Sequence, residues 1–231
     1  MRIKNVHAAI GWNGYAGSDI ILPICARSPG ARGRNFSATL DAMRGRIGTL
    51  HVVMCDTLDR HNLNGDAALA KSKADAWLAE NLPRIRSGFH YTLKRWDDVR
   101  ADPSFAGRHE LMMRLYAESF PVQEAIDRIS SHYVASKEER FAKAGLPFNR
   151  ILERQAAAAY LVEEFAGTAV YKDWHPSLPE AYWGVYVGDA QIFNRHNSID
   201  RTIDLALPET LAIHISRLPA PIAGERPRLA A

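Results

Sequence analysis

The chain has 231 residues, of which 47% are hydrophobic and 24% are charged, with 15 Gly and 12 Pro. This balance excludes a disordered or collagen-like chain, and a chain of this length buries about 70% of its unfolded surface, which supports a core without disulfides or a structural metal. The formal net charge is only +3, but residues 1–48 contain seven basic and two acidic residues. This local excess of positive charge favours an anionic partner.

Cys25 and Cys55 lie in apolar runs, and neither the cysteines nor the nine histidines have the spacing of metal ligands. We therefore predict two reduced thiols, no metal and no cofactor. The apolar run at residues 6–10 is too short for a secretory signal, and no stretch approaches the roughly 18 apolar residues of a membrane span. We expect a cytoplasmic monomer with no membrane partner, a single domain over residues 1–231 and a frayed tail over residues 219–231.

A strand, a loop, a helix and a second strand are predicted within residues 19–56. An apolar run at residues 19–26 ends in the turn Ser28-Pro-Gly, an amphipathic stretch covers residues 36–47, and a second apolar run ends before Asp56. Runs that are apolar on both faces predict a parallel sheet covered by helices, so the fold class is a single Rossmann-like α/β domain with a mostly parallel sheet. Ligands of such sheets bind beyond the carboxyl ends of the strands, where Ser28 and Asp56 lie.

The remainder of the chain reads as alternating helices and strands. A helix is predicted from Asp66 to about Leu82, where Pro83 should kink or end it and leave Arg84 and Arg86 just beyond. Further helices are predicted at residues 107–143 and 151–166, and further strands at residues 89–93, 182–187 and 211–216.

Ser28 is the first candidate for chemistry, because a serine at this edge of the sheet is exposed to a bound ligand. Backbone amides of the turn that follows could stabilise an oxyanion. The segment is similar to the nucleophile elbow of α/β-hydrolases. An ordinary Ser-Pro-Gly turn after a strand explains the same residues.

Tyr160 and Glu164 form the second candidate, since residues four apart on a helix are neighbours on one face. Glu163 lies about 100° away around the helix, so at most one of the two carboxylates faces what Tyr160 faces. A carboxylate in a desolvated pocket needs a cation, and a substrate ammonium would supply it. The alternative is a surface Glu beside a core Tyr.

A third candidate is the aromatic strand that precedes Asp189. Alternation along a strand places Tyr182 and Tyr186 on the same side. Core packing is the default explanation for both tyrosines.

These motifs, in this order and at this spacing, resemble the tRNA-dependent cyclodipeptide synthases from residue 19 to about residue 194. The motifs are Ser28-Pro-Gly followed by Asn35-Phe-Ser37, the strand that ends at Asp56, the pair Tyr160 and Glu164, and Tyr186 with Asp189.

The resemblance implies a fold similar to the catalytic domain of class I tyrosyl- and tryptophanyl-tRNA synthetases. It implies an aminoacyltransferase that joins amino acids from two aminoacyl-tRNAs into a 2,5-diketopiperazine by ping-pong acyl transfer, without ATP or another cofactor. Ser28 would be the acceptor of the first aminoacyl group, Tyr160 and Glu164 would hold its ammonium, and Tyr186 would assist proton transfer. Ala31 and Val187 depart from the two common subgroup patterns, so the subgroup stays open.

The resemblance and the basic composition together imply two further sets of residues. The substrate-binding set is Ala26, Ala31, Val53, Cys55, Asp56 and Asp189. The tRNA-binding set, chosen because phosphates require Lys and Arg, is Arg27, Arg32, Arg34, Lys71, Lys73, Arg84 and Arg86.

Two other functions fit parts of the sequence. An α/β-type serine esterase would use Ser28 with a later Asp and a His such as His214. A basic Rossmann-like module would bind RNA without catalysis.

Overall fold

The chain forms strands and helices in a computed structural model, which describes residues 2–3, 17, 19–28, 31–174, 180–184 and 212–216. The strands are β1 (Arg2–Ile3), β2 (Ile20–Ile24), β3 (Thr49–Met54), β4 (His90–Arg95), β5 (Glu180–Gly184) and β6 (Ala212–Ser216). The helices are α1 (Gly33–Met43), α2 (Ala67–Arg86), α3 (Trp96–Arg100), α4 (Phe105–Glu118), α5 (Phe120–Lys143) and α6 (Arg150–Trp174). A 3-10 helix, Thr57–Leu63, follows β3 and is hereafter called the 57–63 segment.

The strands form one sheet in the order β1-β6-β5-β2-β3-β4. β2 runs parallel to both of its neighbours, β5 and β3. β3 and β4 are also parallel, with Thr49 opposite His90 and Met54 opposite Arg95, whereas β1 is antiparallel to β6. The carboxyl ends of β2, β3 and β4 therefore meet at one edge, and the prediction of a mostly parallel, Rossmann-like α/β sheet is confirmed.

Helices cover both faces of the sheet. In β2, Ile20 and Leu22 pack into a core with α1 and α2, while Ile21 packs into a second core with α3, α4, α5 and α6. In β3, Val52 and Val53 divide between the same two cores, which are hereafter the α2-side core and the α6-side core. Because both faces of the sheet are covered, β2 is apolar throughout, and β3 is apolar from Val52 to Met54, whereas its Thr49 and His51 are half-buried.

The prediction that the helix ends at Pro83, with Arg84 and Arg86 just beyond it, is wrong. α2 continues to Arg86, so that Arg84 and Arg86 lie in its last turn. Ile85 is completely buried in the α2-side core, and its packing holds the last turn in helical form.

α6 extends to Trp174, beyond the predicted end at residue 166. Ala169, Val170 and Tyr171 are all buried in the α6-side core, so the apolar face of the helix continues through its last turns. The predicted helical region 107–143 is divided into α4 and α5 at Ser119, which caps α5 with extended backbone. Within the described ranges, no helix is both long and apolar enough to cross a membrane.

Some predicted features lie outside the described residues, wholly or in part. β6 agrees with the predicted strand at residues 211–216 to within one residue, and β5 begins two residues before the predicted 182–187. Tyr186, Asp189 and the tail over residues 219–231 lie outside the described residues.

Gly167 of α6 packs directly on the indole ring of Trp96, which is completely buried. A Cβ at position 167 would overlap that ring. We expect Gly167→Ala to lower the free energy of unfolding by about 1–3 kcal/mol through overpacking, although Ala is the better helix former.

Gly107→Ala in α4 is the matched control, since a Cβ there meets no atom within 4 Å. This change should leave stability unchanged or raise it by up to about 1 kcal/mol. Urea denaturation of both variants measures the difference. A Gly167 variant as stable as the Gly107 variant would contradict the close packing.

Candidate active site

Ser28, the predicted nucleophile, lies in a tight turn directly after β2. Its backbone N–H donates to the Cys25 carbonyl at 2.9 Å, and its carbonyl accepts from the Ala31 N–H at 3.0 Å. These bonds occupy the amides of Ser28 and Ala31. Neither of these two amides is therefore free to act as an oxyanion donor, and Pro29 and Gly30 lie outside the described residues.

Side chains from two helices hold the same turn. Trp77 of α2 donates from Nε1 to the Ala31 carbonyl at 2.5 Å, and its ring packs edge-on against Phe36 of α1. Arg32 donates from Nε to the Ala26 carbonyl at 2.8 Å. The position of the backbone around Ser28 is therefore fixed from both sides before any ligand binds.

Tyr160 and Glu164 lie on one face of α6, as their spacing predicts. The Tyr160 hydroxyl donates to Glu164 Oε1 at 3.4 Å. Burial and the neighbouring Glu164 charge raise the pKa of Tyr160 well above its ordinary value of 10, so the phenol keeps its proton at neutral pH. Cys25 and Cys55 also interact electrostatically with Tyr160. Tyr160 and Glu164 therefore lie within electrostatic range of the residues that follow β2 and β3.

Glu163, the neighbouring carboxylate, faces a different set of groups. It is 3% exposed and accepts hydrogen bonds from Arg60 Nη1 at 3.0 Å, Arg60 Nη2 at 2.5 Å, His61 Nε2 at 2.8 Å and Trp96 Nε1 at 2.9 Å. Burial alone would raise the pKa of Glu163, but the bonds from His61, Arg60 and Trp96 outweigh burial and lower the pKa to about 2. Glu163 is thus a buried carboxylate that ties α6 to the 57–63 segment.

Asp56, a predicted substrate contact, is 1% exposed and bound by protein donors. Its Oδ1 accepts from the N–H groups of Thr57 at 2.9 Å and Trp96 at 3.1 Å. Its Oδ2 accepts from Arg95 Nη1 at 3.0 Å, and Arg95 also bonds Asp75. These bonds give Asp56 a structural role in joining the ends of β3 and β4, and its contact with substrate stays a prediction.

The other predicted substrate contacts divide between the two faces of the sheet. Val53 and Cys55 are buried in the α6-side core, against which Tyr160 packs. Ala26 and Ala31 are buried in the α2-side core instead. Among the described residues of this set, Val53 and Cys55 therefore lie on the side of Tyr160, and Ala26 and Ala31 lie on the other side.

Two of the predicted tRNA contacts near Ser28 are engaged within the protein. Arg27 Nη1 lies 3.5 Å from Asp59 Oδ1, and only 28% of the Arg27 side chain is exposed. Arg32 is exposed, although its Nε bonds the Ala26 carbonyl. Arg27 is therefore turned towards the 57–63 segment rather than towards solvent.

The basic residues of α1 and the first half of α2 are exposed. Arg34 and Lys73 both lie on the surface. Lys71 donates to Asp97 at 3.3 Å, and both side chains are about half exposed. An exposed ion pair of this kind contributes little energy, so Lys71 can exchange its partner for a phosphate at small cost.

Arg84 and Arg86 lie in the last turn of α2 and are exposed. Arg84 Nη1 donates to the Ser37 hydroxyl at 2.7 Å, and Arg86 Nε donates to the Tyr91 hydroxyl at 2.9 Å. Among the described contacts, neither guanidinium pairs with a carboxylate. Both retain their charge for an external anion.

His214, the candidate triad partner of the esterase hypothesis, is the middle residue of β6 and lies opposite Tyr182 of β5. β5 separates β6 from β2 in the sheet, so the two strands are about 10 Å apart. The backbone of β6 is therefore separated from that of β2 by one strand, and the esterase triad stays a prediction.

Comparisons with solved structures identify the fold. No protein-family model matches the chain, and no curated protein matches it by sequence. The structure superposes on a cyclodipeptide synthase from Fluoribacter dumoffii with a TM-score of 0.69 at 17% identity, over 85% of this chain and 89% of that one. A cyclodipeptide synthase from Candidatus Glomeribacter gigasporarum, solved bound to Phe-tRNAPhe, gives 0.62 at 20% identity over 90% and 93%.

The chain has the cyclodipeptide synthase fold. This fold is also similar to tyrosyl-tRNA synthetase from Archaeoglobus fulgidus, solved with L-tyrosine, at a TM-score of 0.54 and 11% identity over 89% of this chain and 56% of the synthetase. The resemblance to cyclodipeptide synthases and to class I synthetases, inferred from four short motifs, is confirmed at the level of the fold.

Sequence reasoning did not identify the 57–63 segment, which joins the Ser28 turn to α6. Its residues Asp59, Arg60 and His61 read as ordinary loop residues, because their partners lie far away in sequence. Arg60 and Glu163, for example, are 103 positions apart. The one signal available was the buried strand end before Asp56, which places whatever follows it at the ligand-binding edge.

Proposed function

We propose that this chain is a cyclodipeptide synthase that takes amino acids from two aminoacyl-tRNAs and joins them through an aminoacyl-Ser28 intermediate. The observation that supports the proposal is the Tyr160–Glu164 pair of α6, which lies within electrostatic range of Cys25 and Cys55, the residues that directly follow β2 and β3. The cyclodipeptide synthase fold supports it.

The protein does not need to activate the amino acid, because an aminoacyl ester is already activated. Ser28 Oγ attacks the ester carbonyl, the bond to the ribose oxygen breaks, and the hydroxyl proton ends on that oxygen as the tRNA leaves. After the second aminoacyl-tRNA has reacted, two ester bonds to tRNA have been replaced by two amide bonds, and closure of the ring frees Ser28. Positioning and charge stabilisation provide most of the acceleration.

Glu164 and Tyr160 have different roles in binding the first substrate. The Glu164 carboxylate balances the charge of the α-ammonium in a partly buried site, where an unpaired ammonium would be costly. Tyr160 remains protonated at neutral pH and keeps its hydroxyl as a donor beside that carboxylate. We assign the later proton transfer and ring closure to Tyr186.

Intact-protein mass spectrometry with a mixture of charged tRNAs tests this proposal. The wild-type chain should gain the mass of one aminoacyl residue on quenching, and diketopiperazines should accumulate in solution. Ser28→Ala should give neither the adduct nor the product. Product formation by Ser28→Ala would show that another group accepts the aminoacyl chain.

The basic end of α2 is proposed to contact tRNA phosphates. Replacing Arg84 and Arg86 with Ala should weaken tRNA use and lower the slope of log K against log salt by about 1–2, since each lost phosphate contact releases about one counterion fewer. Binding to charged tRNA, measured across a salt series, gives the slope.

Arg140 and Lys143 provide the matched control, because they also lie in the last turn of a helix, at the end of α5. Their double Ala variant should keep the wild-type slope. Equal slopes for both double variants would place the phosphate contacts elsewhere.

A further inference from the structure

Arg27 directly precedes Ser28 and is held by the 57–63 segment. Its Nη1 lies 3.5 Å from Asp59 Oδ1 and donates to the Asn62 carbonyl at 3.2 Å. The Asp59 side chain is only 6% exposed. A guanidinium shared between a buried carboxylate and a backbone carbonyl fixes the residue that carries it, and so restricts the next residue, Ser28.

The 57–63 segment is itself fixed to α5. Asn62 Nδ2 donates to Asp59 Oδ1 at 2.8 Å, and the Tyr133 hydroxyl of α5 donates to Asn62 Oδ1 at 2.9 Å. Asp59 therefore keeps one orientation towards Arg27. A network in which each polar group has a partner is rigid, and its members act together.

The segment also contacts α6 beside the predicted ammonium site. Arg60 and His61 both bind Glu163, which directly precedes Glu164. One short segment thus touches the residue before Ser28 and the residue before Glu164. It is a physical link between the predicted nucleophile and the predicted ammonium partner.

Charge gives Arg27 a second effect. Burial raises the pKa of Asp59, against the opposing influence of Asn62 and the charge of Arg27, so the Asp59 carboxylate is costly to leave unpaired. Asp59 interacts electrostatically with Tyr160. Without Arg27, the Asp59 carboxylate would lose its guanidinium partner and would compete with Glu164 for a substrate ammonium.

We propose that Arg27 and Asp59 are a positioning pair, and that Arg27 is not a tRNA contact. The pair holds Ser28 in its reactive position, and the positive charge of Arg27 balances the Asp59 carboxylate. This inference rests on the proposed function. It assigns the pair to the acylation step, in which the amino acid is transferred from tRNA to Ser28, and not to tRNA binding.

A double-mutant cycle with Arg27→Gln, Asp59→Asn and both together tests the pair. The rate of adduct formation on Ser28, at saturating charged tRNA, should fall about tenfold or more in each single variant, and the double variant should be no slower than the slower single one. The tRNA concentration for half saturation and its salt slope should stay at the wild-type values. Arg27→Lys, which keeps the charge, should recover part of the lost rate.

The ion pair between Arg154 Nη2 and Asp127 Oδ2 on the surface of α6 and α5, at 3.0 Å, supplies the control cycle. Arg154→Gln and Asp127→Asn should leave the rate of adduct formation within about twofold of wild type. Denaturant unfolding shows whether each variant is folded. Arg27→Gln, at a partly exposed position, carries the test by itself if Asp59→Asn unfolds.

Additive losses in the cycle, together with a lower salt slope for Arg27→Gln, would make Arg27 a phosphate contact and overturn the inference while the wild-type adduct still forms. A wild-type chain that never forms the adduct would overturn the proposed function and the role of the pair with it.

Discussion

Glu164→Gln is expected to slow diketopiperazine formation by roughly 30- to 1000-fold while the fold stays intact. Glutamine keeps the shape of the side chain and removes its charge. Loss of a charge that balances a desolvated ammonium costs about 2–4 kcal/mol, which corresponds to this range of rates. The contact with Tyr160 at 3.4 Å is weak, so its loss adds little to the effect.

Rates of product formation, measured beside circular dichroism, test this expectation. Glu139→Gln on α5 is the control, because Glu139 is an exposed carboxylate that pairs with Lys143 one turn away. This variant should form product within about threefold of the wild-type rate. If Glu164→Gln also stays within threefold, the substrate ammonium has another partner.

The sheet and its edge were predictable because their signals are local. β2 is a continuous apolar run, β3 is apolar from Val52 to Met54, and Asp56 follows the end of the second strand, so the parallel sheet follows from these short apolar runs. Tyr160 and Glu164 were predictable for the same reason, since a spacing of four on a helix fixes a shared face.

The interaction partners of the charged residues were not predictable, because they lie on segments that are distant along the sequence. Arg27 in a loop has the same sequence signature whether it meets a phosphate or Asp59. Pro83 reads as the end of a helix unless the burial of Ile85 is known. The sequence alone is compatible with either a solvent-exposed or a buried Glu163 carboxylate. The hydrogen-bond donors that hold it in a buried position, such as Arg60, come from the 57–63 segment.

Glu163→Gln is expected to affect stability more than chemistry. The ordinary pKa of a Glu is 4.5, and the hydrogen bonds from His61 and Arg60 prevail over burial to lower that of Glu163 to about 2. A difference of this size corresponds to about 3 kcal/mol of stabilisation. Removal of one partner also leaves Arg60, which is 20% exposed, without its carboxylate.

The stabilisation from Glu163 should depend on pH in a defined direction. Because its pKa is lower in the folded chain than in the unfolded one, the contribution is fully present above about pH 5 and is lost as the pH falls towards 2. Urea denaturation should therefore show Glu163→Gln to be about 3 kcal/mol less stable than wild type at pH 7, with a smaller stability gap between the two proteins at pH 3.

Glu139→Gln should show almost no stability gap from wild type at either pH, as expected of an exposed carboxylate. A gap for Glu163→Gln that stays constant from pH 7 to pH 3 would mean that the loss comes from packing and not from the charge that ties α6 to the 57–63 segment.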